Sequence, residues 1–186
     1  MSESSGPDHP GAAAPTGREA AGSDLIPGMR VDADQTELLL PGAVVAEVIA
    51  WVTPLAYPQE VPEWLLGAFD WRAMRLPLVA VQCLAEGVAA PEPGPASRIV
   101  VVKGLKHHRD LPFYGIAAED IPQLVAIRPG NVRDPEDDEP RAQDLPGRPV
   151  MVGGAPGLIP DLTAVEDRLM AVLPAAGETP MDGEAD

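Results

Sequence analysis

Cysteine, basic residues and long apolar runs are scarce in this 186-residue chain, and each scarcity excludes a class of protein. The single cysteine, Cys83, cannot form a disulfide within the chain. Only 13 Lys and Arg residues stand against 29 Asp and Glu residues, so the formal net charge is −16. Binding to nucleic acid needs a basic face for the phosphates, so no nucleic-acid partner is expected. No apolar run reaches the roughly 20 residues of a membrane-spanning helix, so insertion into a membrane is not expected either.

Acidic residues are concentrated in three polar segments. Residues 1–24, 132–144 and 178–186 have net charges of −3, −4 and −4, so together they carry −11 of the −16. Segments with high charge and little to bury are typically solvated. We therefore predict a disordered tail over residues 1–24 and an acidic tail over residues 174–186. The first tail lacks the basic start and apolar stretch of a secretory signal, which favours a cytoplasmic protein.

Between the tails, residues 25–173 are predicted to form one domain of short strands and a late helix. The run from Leu38 to Val81 holds all three tryptophans, and its prolines and glycines divide it into pieces too short for ordinary helices. The β-branched run Arg98–Lys103 predicts a buried central strand. Apolar residues at helical spacing predict one C-terminal helix, capped by Asp161 or Thr163. The predicted fold class is therefore all-β with a C-terminal helix, of the barrel type.

Proline and glycine mark the breaks within this domain. Residues 89–97 are predicted to be a linker between two halves of the domain, and residues 129–148 a long acidic loop. Pro77 lies inside a strand pattern, and proline cannot donate a hydrogen bond to a neighbouring strand. It therefore predicts an edge position for its strand.

A series of short motifs runs through the first half of the domain. It consists of Leu40-Pro41, Val45, Glu47, Val48, Gly67, Arg72 and Leu76-Pro77-Leu78-Val79. This order resembles the CheW-like family, the coupling module of bacterial chemosensory arrays. In that family an Asn-Leu-Arg-Gly turn stands where this chain has Asp70-Trp71-Arg72-Ala73, so the turn glycine is missing here. The resemblance implies two packed SH3-like five-stranded β-barrel subdomains, with their halves joined by residues 89–97.

Two segments are most similar to one branch of that family. They are Trp71-Arg72 and the later Leu111-Pro112-Phe113-Tyr114, and they resemble the ChpC-type proteins of chemosensory systems that control type IV pili and twitching motility. The resemblance implies a non-enzymatic adaptor that couples a CheA-type histidine kinase to a methyl-accepting chemoreceptor. No cofactor is expected.

Six residues are predicted to form the protein-interaction site that the resemblance implies: Val45, Glu47, Trp64, Gly67, Trp71 and Arg72. Tryptophan and arginine on an exposed rim are residue types that dominate interface energies. Arg72 is the central candidate. The alternative for Arg72 is a surface arginine paired with Asp70, and the alternative for each tryptophan is packing in the core.

No group of residues in the sequence predicts catalysis or a metal site. His107 and His108 are adjacent, so they would point to opposite faces of a strand, and no second His or Cys pair supports them as ligands. Cys83 has no base at a recognisable spacing and is better explained as a small buried side chain. We therefore expect a protein that is not an enzyme.

A peptide-binding module of the SH3 type, unrelated to chemosensing, is the alternative function. It predicts that Trp64 and Trp71 cluster in an exposed groove. The adaptor hypothesis predicts instead that the tryptophans are buried beneath an exposed Arg72.

Overall fold

The computed structural model describes residues 25–33, 36–84, 90, 92–128, 130–139 and 145–173. The two predicted tails, residues 1–24 and 174–186, lie outside the described residues. In chain order the strands are β1 (Ile26–Ala33), β2 (Thr36–Pro41), β3 (Val45–Ala50), β4 (Leu65–Trp71), β5 (Met74–Val79), β6 (Arg98–Lys103), β7 (Phe113–Ala118), β8 (Gln123–Ile127), β9 (Val132–Arg133), β10 (Gly147–Val152) and β11 (Ala155–Pro160). A 3₁₀ helix spans Val81–Leu84, and the α-helix α1 spans Leu162–Val172.

The strands form two sheets. One has six strands in the order β8-β1-β2-β11-β10-β9, and the other has five in the order β3-β6-β7-β5-β4. Each sheet forms a barrel-like half, so the predicted all-β class with a C-terminal helix is confirmed. The five-stranded half is as expected. The other half has a sixth strand because the two-residue β9 pairs with the edge of β10.

The segments rich in proline and glycine do not mark the boundary between the two sheets. Residues 89–97 lie between β5 and β6, which belong to the same five-stranded sheet, so the prediction that this segment joins two halves is wrong. The six-stranded sheet combines β1 and β2 from the start of the domain with β8 to β11 from its end. Residues 129–148 are not one loop either, since their described part contains β9 and the start of β10.

Strand β6 explains how the two halves share a core. Val100 and Val102 point into a central core between the sheets, whereas Ile99 and Val101 point into a second apolar cluster on the other face of the five-stranded sheet. Successive side chains of a strand alternate between faces. With both faces covered, nearly every position must be apolar, which confirms the prediction of a buried central strand.

Helix α1 closes the central core with Leu162, Val165 and Leu169. Asp161 caps it, because its side chain accepts hydrogen bonds from the backbone N–H groups of Thr163 and Ala164, both at 3.0 Å.

The buried carboxylate of Glu166 ties α1 to the β6–β7 connection. It accepts hydrogen bonds from the backbone N–H groups of Leu105 (2.7 Å) and Lys106 (2.9 Å). A buried charge is costly unless it is hydrogen-bonded, and here both carboxylate oxygens have a donor.

Candidate protein-interaction site

The edge strand β4 of the five-stranded sheet is met by the segment that follows β3, and we call this contact the seam. Leu55, which follows β3, donates its N–H to the carbonyl of Ala68 in β4 (2.7 Å) and accepts the N–H of Ala68 (2.8 Å). Gly67 makes this approach possible. Its φ is +132°, and a Cβ at this position would lie 2.4 Å from the carbonyl oxygen of Leu55. The seam therefore requires glycine for both conformation and space.

Pro77 is tolerated inside the sheet because of its register with the two neighbouring strands. Strand β5 lies between β7 and β4, so the predicted edge position is wrong. Ala68, the partner of Pro77, directs its N–H and C=O to Leu55 on the other side. The pair Ala68–Pro77 is thus one of the positions that exchange no hydrogen bonds, so the N–H that proline lacks would point toward β7. The pairing of β5 with β7 begins only at Leu78, so that N–H is not needed.

A two-residue turn joins β4 to β5. Trp71 pairs with Met74, which leaves Arg72 and Ala73 as the turn, with φ values of +46° and +60°. Two successive positive φ angles characterise the type I′ hairpin turn, where glycine or asparagine is preferred. Ala73 adopts a left-handed conformation without the glycine that the family has at this place.

The turn places Arg72 next to Glu47 and Trp71, and we call these three residues the Arg72 corner. Glu47 Oε2 accepts a hydrogen bond from Trp71 Nε1 at 2.9 Å and lies 2.9 Å from Arg72 Nη2. The Arg72 guanidinium also stacks 4.8 Å from the centroid of the Trp71 ring. Trp71 is 7% exposed, whereas the Arg72 side chain is 66% exposed. One carboxylate thus holds a buried indole and an exposed guanidinium together.

A β-bulge decides which residues join this corner. Val45 pairs with Val102 and Glu47 with Val101, so Ala46 is the extra residue. Without the bulge, Val45 and Glu47 would share one face, since they are two residues apart. With it, Val45 packs on the central core while Glu47 reaches Trp71 on the other face.

The structure brings together three of the six predicted site residues. Trp64 is half-buried against the central core, and Trp71 belongs to the second cluster. Gly67 is buried at the seam, and Val45 faces the core. Glu47, Trp71 and Arg72 form the corner. The suggested pairing of Arg72 with Asp70 is wrong, since Arg72 pairs with Glu47.

Asp70 pairs instead with Arg75, the residue directly opposite it in the hairpin. Arg75 Nε donates to Asp70 Oδ1 at 2.9 Å, and this hydrogen bond lowers the pKa of the exposed Asp70 carboxyl below its usual value. The residues are five apart, which matches opposite positions across a two-residue turn. Recognition of the turn in the sequence would have identified this pair.

Sequence reasoning missed one contact of the corner. The rings of Trp71 and Phe113 lie 5.0 Å apart at an angle of 58°, a tilted arrangement favoured by aromatic pairs. Phe113 begins β7, so it is distant in the sequence from Trp71. Both residues lie in the two segments singled out as similar to one branch of the family, which was the only available signal.

Cys83, His107 and His108 are not among the residues of the Arg72 corner. Cys83 is buried in the 3₁₀ helix, as predicted for a small core side chain. Within residues 25–33, 36–84, 90, 92–128, 130–139 and 145–173, no group of three His, Cys, Asp or Glu side chains is arranged to hold a metal ion. In the same part of the chain, no helix has the length and apolar character to cross a bilayer.

Comparison with known proteins identifies a matching family. The model of the CheW-like domain family matches residues 27–168. The chain belongs to the CheW-like domain family. Among solved structures, this CheW-like chain is similar to the scaffolding protein TtCheW from Thermoanaerobacter tengcongensis, with a TM-score of 0.56 and 16% identity over 73% of this chain and 88% of that one. A comparison with curated proteins finds no match.

Membership in the family decides the prediction that the chain is not an enzyme. CheW family proteins are non-enzymatic scaffolds, and this CheW-like chain is of that class. The likeness to TtCheW is at only 16% identity, so it bears on the fold and not on the partners. For the Arg72 corner, a role in binding a partner is supported only by its own geometry.

Proposed function

We propose that this CheW-like protein is a chemosensory adaptor that couples a CheA-type histidine kinase to a methyl-accepting chemoreceptor, and that the Arg72 corner is part of the receptor-binding surface. The observation that carries this proposal is the conformation of Arg72. Its guanidinium is exposed, yet it is held in one place by Glu47 and the Trp71 ring.

Such an arginine is suited to binding a protein surface. An arginine loses side-chain entropy when a partner immobilises it, and here much of that loss has already occurred in the free protein. The guanidinium has five donors, of which Glu47 engages only part, so its remaining face can bind carboxylates or carbonyls of a partner. In a chain with a net charge of −16, a fixed cation also distinguishes this spot from its surroundings.

The receptor element that fits this spot is a helical tip with acidic and apolar residues. The apolar part of the contact would lie on the half-buried side chains of the second cluster that border the corner, among them Ile49, Leu66 and Met74. Charge would set the register of the helix, and apolar contact would supply most of the affinity.

The position of the tryptophans favours this proposal over an SH3-type peptide-binding module. That alternative expects Trp64 and Trp71 together in an exposed groove. Instead they lie in different apolar clusters, and Trp71 is 7% exposed beneath Arg72.

The more specific part of the proposal is a ChpC-type role in the control of type IV pili and twitching motility. It is supported by resemblance in two segments, Trp71-Arg72 and Leu111–Tyr114. The contact between the Trp71 and Phe113 rings gives these segments a common structural role, because Phe113 supports the indole on which Arg72 stacks.

The test is binding of the purified chain to a receptor cytoplasmic tip and, separately, to the CheW-like domain of a CheA-type kinase. We expect Arg72→Glu to weaken receptor binding by about 2 kcal/mol, or roughly thirtyfold in Kd, as for a central interface arginine. Isothermal titration calorimetry measures both affinities.

Arg148→Glu is the matched control. Arg148 is similarly exposed and also pairs with a carboxylate, that of Asp134, but it lies in the six-stranded sheet. Its replacement should leave receptor binding unchanged. Binding of the wild-type chain to neither partner overturns the adaptor function, and equal losses for both variants overturn the assignment of the Arg72 corner. Circular dichroism of each variant verifies folding.

A further inference from the structure

Four strands form the edges of the two sheets in the described part of the chain, and three of them are protected. Strand β4 is covered at Ala68 by Leu55, and β3 has a β-bulge and the charged Glu47. Strand β9 has two residues, and its Arg133 forms an ion pair with Glu139. An unprotected strand edge offers free N–H and C=O groups to another chain, and short length and charge are the usual protections. Strand β8 has neither.

The register of β8 shows which of its backbone groups face outward. The carbonyl of Pro27 in β1 accepts a hydrogen bond from Gly42, on the β2 side, so the alternate residues Gly28 and Arg30 face β8. Their partners in β8 are Val125 and Gln123. Leu124 and Ala126 therefore direct their N–H and C=O groups away from the sheet. In the described residues no strand pairs with that side.

The side chains along this edge are apolar and exposed. Strand β8 reads Gln-Leu-Val-Ala-Ile and contains no charge and no proline. Leu124 is 81% exposed, and Ile121, just before the strand, is 56% exposed. A leucine gains free energy when it leaves water, so both the backbone and the side chain of Leu124 favour a covering segment.

A small acidic pocket lies at the beginning of the same edge. It has a volume of about 70 Å³ and is lined by Arg30, Asp32, Glu37, Asp120, Ile121 and Gln123. Its three carboxylates exceed its one cation, and Arg30 is already hydrogen-bonded to Glu37. Asp32 and Glu37 stand directly opposite each other in the β1–β2 pairing, so negative charge is concentrated in the pocket. A cation from a partner would complement this charge.

We propose that β8 is a docking edge for an extended segment of another protein in which apolar residues alternate with lysine or arginine. The segment adds to the six-stranded sheet beside β8 through the outward groups of Leu124 and Ala126. Its apolar side chains cover Leu124 and Ile121, and a basic residue reaches the acidic pocket. A second copy of this chain is the poorer occupant, since a net charge of −16 repels another copy. The docking edge is separate from the Arg72 corner and does not depend on the proposed function.

The test uses the full-length chain and two synthetic nine-residue peptides, one alternating valine with lysine and one alternating valine with glutamate. Fluorescence anisotropy at physiological salt measures their affinities. We expect the valine–lysine peptide to bind at least tenfold more tightly than the valine–glutamate peptide. We also expect it to slow amide hydrogen exchange at Leu124 and Ala126.

Two variants separate strand addition from general charge attraction. Ala126→Pro removes one outward N–H but no hydrogen bond to β1, so it should leave the fold intact and weaken the peptide at least fivefold. Asp120→Asn removes a charge of the pocket and should also weaken it. Leu105→Lys, at another exposed apolar residue, and Glu63→Gln, at an exposed carboxylate elsewhere, are the matched controls and should change nothing.

Three results overturn the docking edge. One is equal affinity for the two peptides, or no binding at all. Another is an affinity that Ala126→Pro leaves unchanged, which would show attraction to the acidic surface in general. The last is slow exchange at Leu124 and Ala126 in the free monomer, or a dimer that Ala126→Pro dissociates. Either of these would show that this chain, or a second copy of it, already covers β8.

Discussion

The Arg72 corner and the edge of β8 have opposite solutions to the same structural problem, the unpaired edge of a β-sheet. At the seam beside the corner, Leu55 hydrogen-bonds to Ala68 at the edge of β4, and the side chains of Glu47 in β3 and Trp71 in β4 are hydrogen-bonded to each other. At β8 the described residues provide no second partner, and Leu124 lies open to solvent. Residues at the seam are therefore expected to stabilise the fold, whereas residues at β8 are available to bind a partner.

The largest effect on stability is expected from Gly67→Ala, which disrupts the backbone contact at the seam. The new Cβ would lie 2.4 Å from the carbonyl oxygen of Leu55, at a φ of +132°. We expect a loss of about 3 kcal/mol in the free energy of unfolding, since strain and a backbone clash add. Urea denaturation measures it. Gly154→Ala is the control, because Gly154 also has positive φ (+92°) but nothing within 4 Å of a Cβ. Equal losses would mean that the approach of Leu55 does not require the glycine.

A smaller loss is expected when the corner loses its carboxylate. Glu47→Ala leaves the buried Trp71 indole N–H without its acceptor, which costs about 2 kcal/mol. The same substitution in a Trp71→Phe background should cost much less, because no donor remains there. Denaturation of the four proteins in this cycle gives the coupling energy. A coupling near zero would contradict the role of the hydrogen bond in closing the seam.

Ala73→Gly should stabilise the protein. Ala73 has a φ of +60°, a conformation that costs a residue with a Cβ about 1 kcal/mol relative to glycine. The free energy of unfolding should rise by about that amount. Receptor affinity should stay the same if the turn keeps its shape, since Arg72 is held by Glu47. A lower stability in the glycine variant would show that Ala73 has packing that glycine cannot replace.

The smallest effect on stability is expected at the open edge. Leu124→Thr changes a side chain that is 81% exposed and introduces a β-branched residue that suits a strand, so the free energy of unfolding should change by less than about 0.5 kcal/mol. Thermal unfolding checks this. A loss of stability as large as that of Glu47→Ala would show that the edge of β8 stabilises the fold as much as the seam does.

Local sequence patterns predicted the strands and the helix correctly where a single rule, such as strand alternation or helix periodicity, determined the structure. The β-branched residues of β6 predicted a strand covered on both faces, and apolar spacing predicted α1. Asp161 was one of the two residues expected to cap that helix, and the structure selects it. These inferences succeed because strand alternation, helix periodicity and capping involve residues close together in the chain.

The failures concern relations between distant segments. Pro77 indicated an edge strand by a sound local rule, yet it lies in an inner strand, just before the pairing of β5 with β7 begins at Leu78. The composition of residues 89–97 suggested a boundary between halves, yet both neighbouring strands lie in one sheet. Val45 and Glu47 were expected to share a site, and a single bulge put them on opposite faces. None of these contacts leaves a periodic trace in the sequence.

The sequence by itself determined the class of this protein: short strands divided by proline and glycine, one late helix, few bases, and a motif series that matches the CheW-like family. Only the tertiary structure decided that Arg72 pairs with Glu47, that Gly67 serves the seam, and that β8 is left open. The physical reason is one of range. Local pattern reports which side of an element is apolar, whereas the pairing of edges depends on which distant strands meet.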